Sequence, residues 1–273
     1  MLYALIVIYN KKCEDSITIK KIFPYKNQIN IIVFDNSDEN NENERFCNNN
    51  NIKYYTEHKN IGLSKAYNSI ISKIEMNDDN FLLILDDDTN ITNEYINKII
   101  EISNNKKENL YDIYVPIAKS NNKIISPSNT QFDCRVKAIK KIDDIDLKKI
   151  TAINSCSFIR MSVFKNIKYN ENLFLDYVDH DFFRKARKEK IKIKVLNEAV
   201  FQNFSRDEKN PNINSVLLRF KIYMEDFKKY CKEIGWLGEI FYFLNITKLK
   251  IKNTVKYKTI KFWIKEEQSI CKN

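Results

Sequence analysis

Residues 81–90, FLLILDDDTN, set five apolar residues directly before three consecutive aspartates. An uninterrupted apolar run of this length is typical of a strand that is buried on both faces of a sheet. Adjacent carboxylates repel one another and are costly to remove from water, so such a cluster persists mostly where water or a cation reaches it. The stretch therefore predicts a buried strand whose carboxyl end opens onto a polar, accessible edge.

The sequence around this stretch alternates apolar segments with amphipathic ones. Strands are predicted over residues 2–9 (LYALIVIY), 29–35 (INIIVFD) and 51–57 (NIKYYTE), and helices over residues 63–75 and 92–103. Thr92 has the residue type and the position of a helix N-cap. This alternation predicts an α/β fold whose central sheet is mostly parallel and covered on both faces.

Acidic residues fall at the ends of two of these strands. Asp35 closes the second strand, and the three aspartates 86–88 follow the strand at 81–86. Ligands of parallel sheets bind at the carboxyl ends of the strands, so both acidic positions are expected to face one crevice.

The rest of the chain divides into three parts. Residues 105–150 are polar and weakly periodic, with short strands such as YDIYVPI and NKIISPS. Residues 172–196 give an apolar lead, a cluster of ionisable groups, a basic helix and the short strand KIKVL. Helices follow Pro211. We predict a catalytic domain over residues 1–205 and a basic helical C-terminal region over residues 206–273.

The composition narrows the class of protein. The 273-residue chain has a net charge of +10 and a pI of about 9.1, which favours an anionic partner. Seven lysines and no acidic residue lie between Phe241 and Lys265. Six scattered cysteines and two histidines argue against a zinc site or a disulfide framework and favour a reducing cytoplasm.

Residues 1–12 are predicted to form a strand rather than a signal peptide, and the apolar runs are too short to span a membrane.

The aspartate cluster suits a divalent cation. Mg²⁺ and Mn²⁺ prefer oxygen ligands, and Mg²⁺ is commonly held by one or two carboxylates while substrate phosphates complete its shell. In an extended strand end Asp86 and Asp88 point to one side and Asp87 to the other, so we assign the first and third carboxylates to the cation. The alternative is a solvated loop in which Asp88 or Asn90 helps to cap the next helix.

Two other enzyme classes share parts of this pattern. A hydrophobic strand followed by D-x-D-x-T is the signature of Mg²⁺-dependent phosphatases with an aspartyl nucleophile, but here Asn90 stands two places after Asp88 and the threonine comes one place early. Nucleotidyl transfer usually needs a glycine-rich phosphate loop after the first strand, and IVIYNKK contains no glycine. Both alternatives therefore rank below a cation site whose shell is completed by substrate phosphates.

Six segments, taken together and in order, resemble the landmarks of glycosyltransferase family 2, in particular its rhamnosyltransferase-like branch. They cover roughly residues 3–190 and read IVIYN, VFDNS, NIGLSKAYN, LLILDDDT, NSCSFIRMSVF and LFLDYVDHDFFRKAR. The resemblance implies a GT-A fold, which is an α/β sandwich that binds a nucleotide sugar. It also implies inverting transfer of a sugar to an acceptor hydroxyl.

The resemblance assigns roles to individual residues. The base and ribose of the nucleotide would be held by Tyr9, Asn10 and Asp35. The N-x-G-x-x-x-A-x-N element beside the donor corresponds to Asn60, Gly62, Lys65 and Asn68. Asp86 and Asp87 would also contact the donor, and Asp86 and Asp88 match the D-x-D that binds the cation on its diphosphate. Asp179 matches the catalytic base, with His180 as a competitor and with Asp176 and Asp181 as loop or helix-start residues.

The sequence departs from the family pattern at three places. Ser155-Cys156 stands where a Ser-Gly pair is usual, and Lys185 stands where arginine is common. After the strand that follows the base, the family often has a histidine, whereas this chain offers Gln202 and Asn203. A third metal ligand is therefore not evident from the sequence.

These observations predict an enzyme with Mg²⁺ or Mn²⁺ as its cofactor. The expected donor is a UDP- or dTDP-sugar, and the expected acceptor is a saccharide or a lipid-linked saccharide of cell-surface polysaccharide biosynthesis. The alternative is a non-catalytic membrane-surface or sugar-binding module on the same fold. No motif supports nucleic-acid binding.

The C-terminal lysines and aromatic residues predict contact with an anionic membrane surface, and hence a cytoplasmic protein that is peripheral to the inner face of the cell membrane. The alternative is that the aromatic residues pack a helical lid; they are Trp236, Phe241, Tyr242, Phe243, Phe262 and Trp263.

Overall fold

The computed structural model describes residues 1–38, 42–105, 109–121, 123–202 and 212–263. The chain separates into two compact units, Met1–Arg206 and Asp207–Asn273. The predicted domain boundary at residues 205 and 206 lies outside the described residues, as do Asn203, Lys265 and Cys271.

The described residues contain eleven strands and seven α-helices. The strands are β1 (Leu2–Ile8), β2 (Asn30–Asp35), β3 (Lys53–Thr56), β4 (Phe81–Asp86), β5 (Ile113–Ser120), β6 (Lys123–Ser126), β7 (Ser128–Gln131), β8 (Arg135–Lys137), β9 (Ile150–Thr151), β10 (Phe158–Arg160) and β11 (Ile193–Phe201). The helices are α1 (Ile17–Ile22), α2 (Asn43–Asn49), α3 (Leu63–Ile71), α4 (Asn93–Asn104), α5 (Val178–Lys188), α6 (Ile213–Ile234) and α7 (Trp236–Tyr257).

The central sheet of the first unit has the strand order β11-β5-β10-β4-β1-β2-β3, and β6 pairs with the outer part of β5. Neighbouring strands from β4 to β3 are parallel, as are β5 and β11, whereas β10 runs antiparallel between β4 and β5. The strands β7, β8 and β9 form a second, small antiparallel sheet with the order β8-β7-β9. The predicted α/β fold with a mostly parallel sheet is confirmed.

The apolar composition of the inner strands explains their position. Leu5 and Ile6 of β1, Val33 of β2 and Leu83 of β4 are fully buried. Their side chains point to both faces of the sheet, so the strands need helices on both sides to exclude water. Burial of this kind fixes the inner strands within the sheet.

The strand register places the two acidic positions at one edge. Ile8 of β1 pairs with Asp35 of β2, and Val7 of β1 pairs with Asp86 of β4. The two carboxylates therefore flank the carboxyl end of β1, with one strand between them. The predicted common edge is confirmed.

Several predicted elements differ in length from those observed. The helix predicted over residues 63–75 ends at Ile71, because Lys73 and Ile74 bond back only three residues and tighten the last turn. The strand predicted as KIKVL extends to Phe201, with a register shift between Val195 and Ala199. Thr92 is the predicted N-cap of α4, and its side chain accepts from the Tyr95 N–H.

The second unit consists of α6, α7 and a short 3₁₀ turn. Tyr242 of α7 packs on Phe227 of α6 with ring centroids 5.5 Å apart, and Phe262 packs on Phe220 at 5.3 Å. A Cβ added at Gly238 would lie 2.2 Å from the Cys231 carbonyl oxygen, so glycine lets the helices approach closely there. Among the helices of the described residues, none has the length and apolar content needed to cross a bilayer.

Candidate functional site

The turn that follows β4 is held by hydroxyl groups near the start of α1. Ser16 Oγ donates to the Asp87 carbonyl at 2.7 Å, and Thr18 Oγ1 donates to the Asp86 carbonyl at 2.5 Å. Thr18 Oγ1 also accepts from the Thr89 N–H at 2.9 Å. Ser16 and Thr18 are fully buried. These bonds satisfy backbone groups that the turn would otherwise leave buried without partners, and they fix where the carboxylates emerge.

The three aspartates do not continue the strand as expected. β4 ends at Asp86, and residues 87 and 88 form a turn. We predicted from strand alternation that Asp86 and Asp88 point to one side. That argument was wrong, because side chains alternate only where the backbone is extended, and the extended backbone ends at Asp86. Contacts distinguish the side chains instead. Asp87 Oδ1 forms an ion pair with Lys11 Nζ at 2.8 Å, and Asp86 Oδ2 accepts from Gln202 Nε2 at 2.9 Å.

Electrostatic repulsion is concentrated on Asp86. Burial raises the pKa of its carboxyl to about 7, and the charges of Asp88, Asp87 and Asp179 add to the effect, while the Gln202 hydrogen bond lowers it. Burial and the charge of Asp87 also raise the pKa of Asp88, against the lowering influence of Lys11. A bound divalent cation would relieve this repulsion.

Gln202, which stands where the family often has a histidine, supplies an oxygen beside the cluster. It is 8% exposed, and its amide N–H₂ donates to Asp86. Its Oε1 is buried and has no hydrogen-bond partner among the described residues. A buried amide oxygen without a partner is costly, so an acceptor in this position suits a cation or a water bound to one.

The residues around the cluster fit a hard cation that takes part of its shell from phosphate. Asp86 and Asp88 offer carboxylate oxygens, and Gln202 offers a neutral one. The described part of the chain contains no group of three or more His, Cys, Asp or Glu residues that could hold a metal by themselves. Mg²⁺ sites commonly use only one or two protein carboxylates together with substrate phosphates.

Asp35 forms the centre of a network on the other side of β1. It is 2% exposed, and its Oδ2 accepts from Asn43 Nδ2 at 2.7 Å and from the Tyr54 hydroxyl at 3.1 Å. Its Oδ1 accepts from the Ser37 N–H at 3.1 Å. Burial and the Asp35 charge raise the pKa of Tyr54, which keeps the hydroxyl protonated as the donor. These bonds hold the loop after β2, and a direct contact of Asp35 with a nucleotide stays a prediction.

Tyr9 and Asn10 follow β1 at the same edge. Tyr9 is 50% exposed, so its ring is available to a ligand. Asn10 adopts a left-handed conformation with φ 49°, and its N–H donates to Ser37 Oγ at 2.8 Å. The bond joins the loops after β1 and β2 into one rim.

The N-x-G-x-x-x-A-x-N element begins next to that rim. Asn60 Oδ1 accepts from Asn36 Nδ2 at 2.9 Å and from the Gly62 N–H at 3.1 Å. Gly62 has φ 82°, and a Cβ there would lie 2.8 Å from the Phe174 carbonyl oxygen and 2.7 Å from its ring. Glycine is therefore required both by the backbone conformation and by this close approach. Lys65 lies exposed on α3.

The same element connects α3 to the segment that precedes α5. The Leu63 N–H donates to the Phe174 carbonyl at 2.7 Å, and Ser64 Oγ donates to the Leu173 carbonyl at 2.7 Å. Asn68 Nδ2 donates to the Tyr169 carbonyl at 2.9 Å and to Glu171 at 3.0 Å. The amide of Asn68 thus links two chain segments, and its predicted contact with a donor stays a prediction.

Asp179 and Asp181 lie in the first turn of α5, whereas Asp176 precedes the helix. Its Oδ1 accepts from the His180 N–H at 2.7 Å, and His180 Nδ1 lies 2.7 Å from Thr151 Oγ1. Asp181 is fully buried and forms ion pairs with Arg184 at 2.5 Å and Lys185 at 2.7 Å. Asp181 is therefore a helix-start residue, as predicted.

Asp179 and Asp86 belong to one electrostatic site although 93 positions separate them in sequence. The charge of Asp179 contributes to the raised pKa of Asp86, and both carboxylates help burial to raise the pKa of the Tyr67 hydroxyl. The charge of Asp179 thus acts on the aspartate cluster, and its role as the base stays a prediction.

Cys156 occupies the position where the family usually has glycine. It adopts φ 65°, a left-handed conformation that glycine accepts at lower cost. Its N–H donates to the Ile84 carbonyl of β4 at 2.7 Å, and its carbonyl accepts from the Tyr95 hydroxyl. Ser155 Oγ lies 2.7 Å from Thr89 Oγ1. Cys156 therefore adopts the backbone conformation expected of a glycine and adds a buried side chain.

The family model for glycosyl transferase family 2 matches residues 3–168. The chain belongs to this family. The match ends before Asp179 and Gln202, so the roles of these two residues rest on the geometry and on the resemblance described above. No curated protein sequence matches the chain.

Solved structures place this family member among GT-A folds. A structure of GalNAc-T7 with UDP, GalNAc and Mn²⁺ has a TM-score of 0.56 at 12% identity, covering 95% of this chain and 58% of that one. Glucosyl-3-phosphoglycerate synthase from Mycobacterium tuberculosis, in complex with Mn²⁺, UDP and glucosyl-3-phosphoglycerate, has a TM-score of 0.49 at 7% identity, covering 85% of this chain and 80% of that one. The first likeness confirms the expected fold. The chain spans less than two thirds of the GalNAc-T7 chain.

Proposed function

We propose that this family 2 member is a cation-dependent, inverting glycosyltransferase that moves a sugar from a nucleoside diphosphate donor to a hydroxyl of a saccharide or lipid-linked acceptor. The observation that carries the proposal is the electrostatic coupling of Asp86 and its neighbouring aspartates with Asp179, at the open edge of a parallel sheet. A cation site and a base for the acceptor then share one crevice.

Asp86 and Asp88 would hold Mg²⁺ or Mn²⁺ together with the donor diphosphate. The cation would stabilise the negative charge that develops on the leaving nucleoside diphosphate. The protein fixes the two carboxylates through the bonds of Ser16 and Thr18 to the turn. Lys11 pairs with Asp87 at 2.8 Å and offsets part of the negative charge beside the two carboxylates.

Asp179 would act as the general base. Its carboxylate takes the proton of the acceptor hydroxyl as that oxygen attacks the anomeric carbon from the face opposite the leaving diphosphate. Attack from that face inverts the configuration. A positioned base of this kind contributes about 100-fold to 10,000-fold in rate. The Asp179 bond to the His180 N–H orients the carboxylate at the start of α5.

The donor we propose is a UDP- or dTDP-sugar. The GalNAc-T7 structure contains UDP and Mn²⁺, and the exposed ring of Tyr9 lies at the edge where the resemblance expects the base. The resemblance to the rhamnosyltransferase-like branch adds rhamnosyl or galactofuranosyl transfer in cell-surface polysaccharide biosynthesis. The C-terminal lysines and aromatic residues add a location in the cytoplasm at the inner face of the membrane.

A non-catalytic sugar-binding module on the same fold is the second candidate, since a domain of this kind can keep the fold and lose turnover. A Mg²⁺-dependent phosphatase is less well supported. Its nucleophile would be the first aspartate of the motif, and in this chain Asp86 is half-buried and accepts a hydrogen bond from Gln202. Family 2 membership favours glycosyl transfer.

Calorimetric titration of UDP and of dTDP, each with and without Mn²⁺, tests the donor site. We expect one nucleotide to bind with Mn²⁺ and not without it, and Asp88→Ala to lose this binding. Asp146→Ala is a matched control, because Asp146 is an exposed carboxylate that pairs with Lys149 at 2.9 Å outside the cluster. Absence of binding for both nucleotides under all conditions would overturn the proposal.

A further inference from the structure

The outward side of α7 carries an apolar stripe, here called the outer face. Its members are all well exposed and follow one another at helical spacing; they are Trp236, Ile240, Phe243, Leu244, Ile251 and Val255. Phe243 is 69% exposed and Val255 is 74% exposed. From Trp236 to Val255 the stripe is about 29 Å long at the usual helical rise.

The outer face is not the face by which α7 packs in its own unit. That packing uses the opposite side, where Gly238 approaches Cys231, Tyr242 contacts Phe227 and Ile246 is 6% exposed. A surface helix of a globular protein needs one apolar stripe, and α7 has a second one. The predicted packing of the C-terminal aromatic residues thus applies to Tyr242 and Phe262, while Trp236 and Phe243 face outward.

Positive charge borders the outer face. Lys248, Lys252 and Lys256 recur at intervals of four along one side of the stripe, and Lys250 lies on the other side. Glu239 is the one acidic residue of α7. No acidic residue lies between Phe241 and Trp263.

A tryptophan stands at each end of the surface. Trp236 opens α7, and Trp263 follows it in a short 3₁₀ turn, with its indole N–H bonded to Thr254 Oγ1 at 2.9 Å. Lys250 Nζ lies 5.4 Å from the Trp263 ring centroid. Indole rings have an apolar body and a polar N–H, which suits them to the boundary between lipid and water.

We propose that the outer face of α7 binds an anionic lipid surface, with the helix lying in the plane of the membrane interface. Apolar residues on one face and lysines along its borders are the combination that amphipathic interfacial helices use. Two copies of the chain packed face to face would bring their lysine rows together, so the charge favours anionic lipid over a second copy.

This inference goes beyond the proposed reaction and does not depend on it. It assigns the membrane attachment that the C-terminal lysines and aromatic residues predict to one face of α7. If the acceptor is lipid-linked, the contact would bring the catalytic unit to the surface where that acceptor resides.

Tryptophan fluorescence of the full chain tests the inference directly. The protein contains two tryptophans, Trp236 and Trp263, and both belong to this surface. Vesicles of phosphatidylglycerol and phosphatidylcholine should shift the emission to shorter wavelength and should co-sediment the protein. Vesicles of phosphatidylcholine alone should do so much less, because the lysine contribution is lost.

Single substitutions separate the apolar contribution from the charged one. Phe243→Ser should weaken vesicle partitioning by roughly tenfold or more, since a buried aromatic side chain is lost. Phe132→Ser is the matched control, because Phe132 is 73% exposed in the first unit and should leave partitioning unchanged. Lys252→Gln should weaken binding about fivefold, and mainly at low salt.

Three results would overturn the inference. In the first, Phe243→Ser partitions onto vesicles as well as wild type does. In the second, wild type does not bind anionic vesicles. In the third, the emission shifts without lipid and the shift grows with protein concentration, which indicates a second copy. Calorimetry of UDP with Mn²⁺ on the same sample shows separately whether the donor site works, so failure of the reaction and failure of the lipid contact remain distinguishable.

Discussion

The position of Asp86 depends on a small number of neighbouring side chains. Gln202 Nε2 donates to its carboxylate, and Thr18 Oγ1 donates to its carbonyl. Lys11 forms an ion pair with the next aspartate, Asp87. These residues come from two parts of the sequence that are both distant from the aspartates, so the geometry of the cation site depends on residues outside the aspartate motif.

Gln202→Leu removes the donor to Asp86 and also the Oε1, which has no hydrogen-bond partner within the described part of the chain. Residues that orient metal ligands typically contribute about 10-fold to 100-fold in metal affinity, so we expect Mn²⁺-dependent nucleotide binding to weaken by that amount. Calorimetry measures the affinity, and thermal unfolding of the variant checks that the fold is retained. An unchanged affinity in a folded variant would show that Gln202 does not support the site.

Asp179→Asn keeps the shape of the side chain and removes its basicity. If Asp179 is the base, sugar transfer should fall by about 100-fold to 10,000-fold while UDP and Mn²⁺ still bind as in wild type. Transfer from donor to acceptor is measured by release of the nucleoside diphosphate. Asp176→Asn is the neighbouring control and should retain most of the activity. Equal losses in the two variants would contradict the assignment.

Short elements position the catalytic groups relative to one another. The start of α3 bonds to the segment over residues 169–174, and that segment leads directly into α5 and Asp179. The N-x-G-x-x-x-A-x-N element therefore acts as a structural connection between the donor rim and the base. This accounts for Gly62 and Asn68 without requiring that either contact the donor.

Gly62→Ala tests this connection against a matched glycine. Gly62 (φ 82°, ψ 161°) and Gly235 (φ 99°, ψ −160°) share a backbone region that is nearly restricted to glycine, where another residue costs about 1 to 3 kcal/mol. A Cβ at Gly62 also meets Phe174, whereas a Cβ at Gly235 meets nothing within 4 Å.

We expect Gly62→Ala to lower both the free energy of unfolding and the rate of transfer, because the segment before Asp179 must shift. Gly235→Ala should lower stability alone. Urea unfolding followed by circular dichroism gives the stability, and product release gives the rate. Normal transfer by Gly62→Ala would exclude a role of this contact in placing Asp179.

At the scale of the whole molecule, a cation and a nucleotide should stabilise the fold that binds them. A ligand present at about 100 times its Kd adds about 2.7 kcal/mol to the stability of a protein that binds it only when folded. Mn²⁺ together with UDP should therefore raise the melting temperature clearly, and more than either does alone. Asp88→Ala should show no such rise. An equal rise in that variant would place the nucleotide elsewhere.

The sequence predicted those parts of the fold that depend on local pattern. Apolar runs gave β1, β2 and β4, and Thr92 marked the start of α4. Residues 105–150 could not be placed with the same clarity, because β5 is followed by four strands of two to four residues, which form a hairpin with β5 and most of a second small sheet. Strands of two to four residues leave too few positions for alternation to show.

By itself, the sequence determined that carboxylates stand at the ends of two buried strands, since burial of an apolar run forces its polar continuation toward solvent. It also indicated the family, the separate basic helical region and the residues of the aspartate cluster. Tertiary structure alone decided which groups meet there: the Gln202 amide at Asp86, the buried hydroxyls under the turn, and Asp179 beside the cluster. It also decided that α7 turns a second apolar face outward. The reason is physical: these contacts join residues that are far apart in sequence, and their geometry depends on strand order and helix packing, which no local pattern encodes.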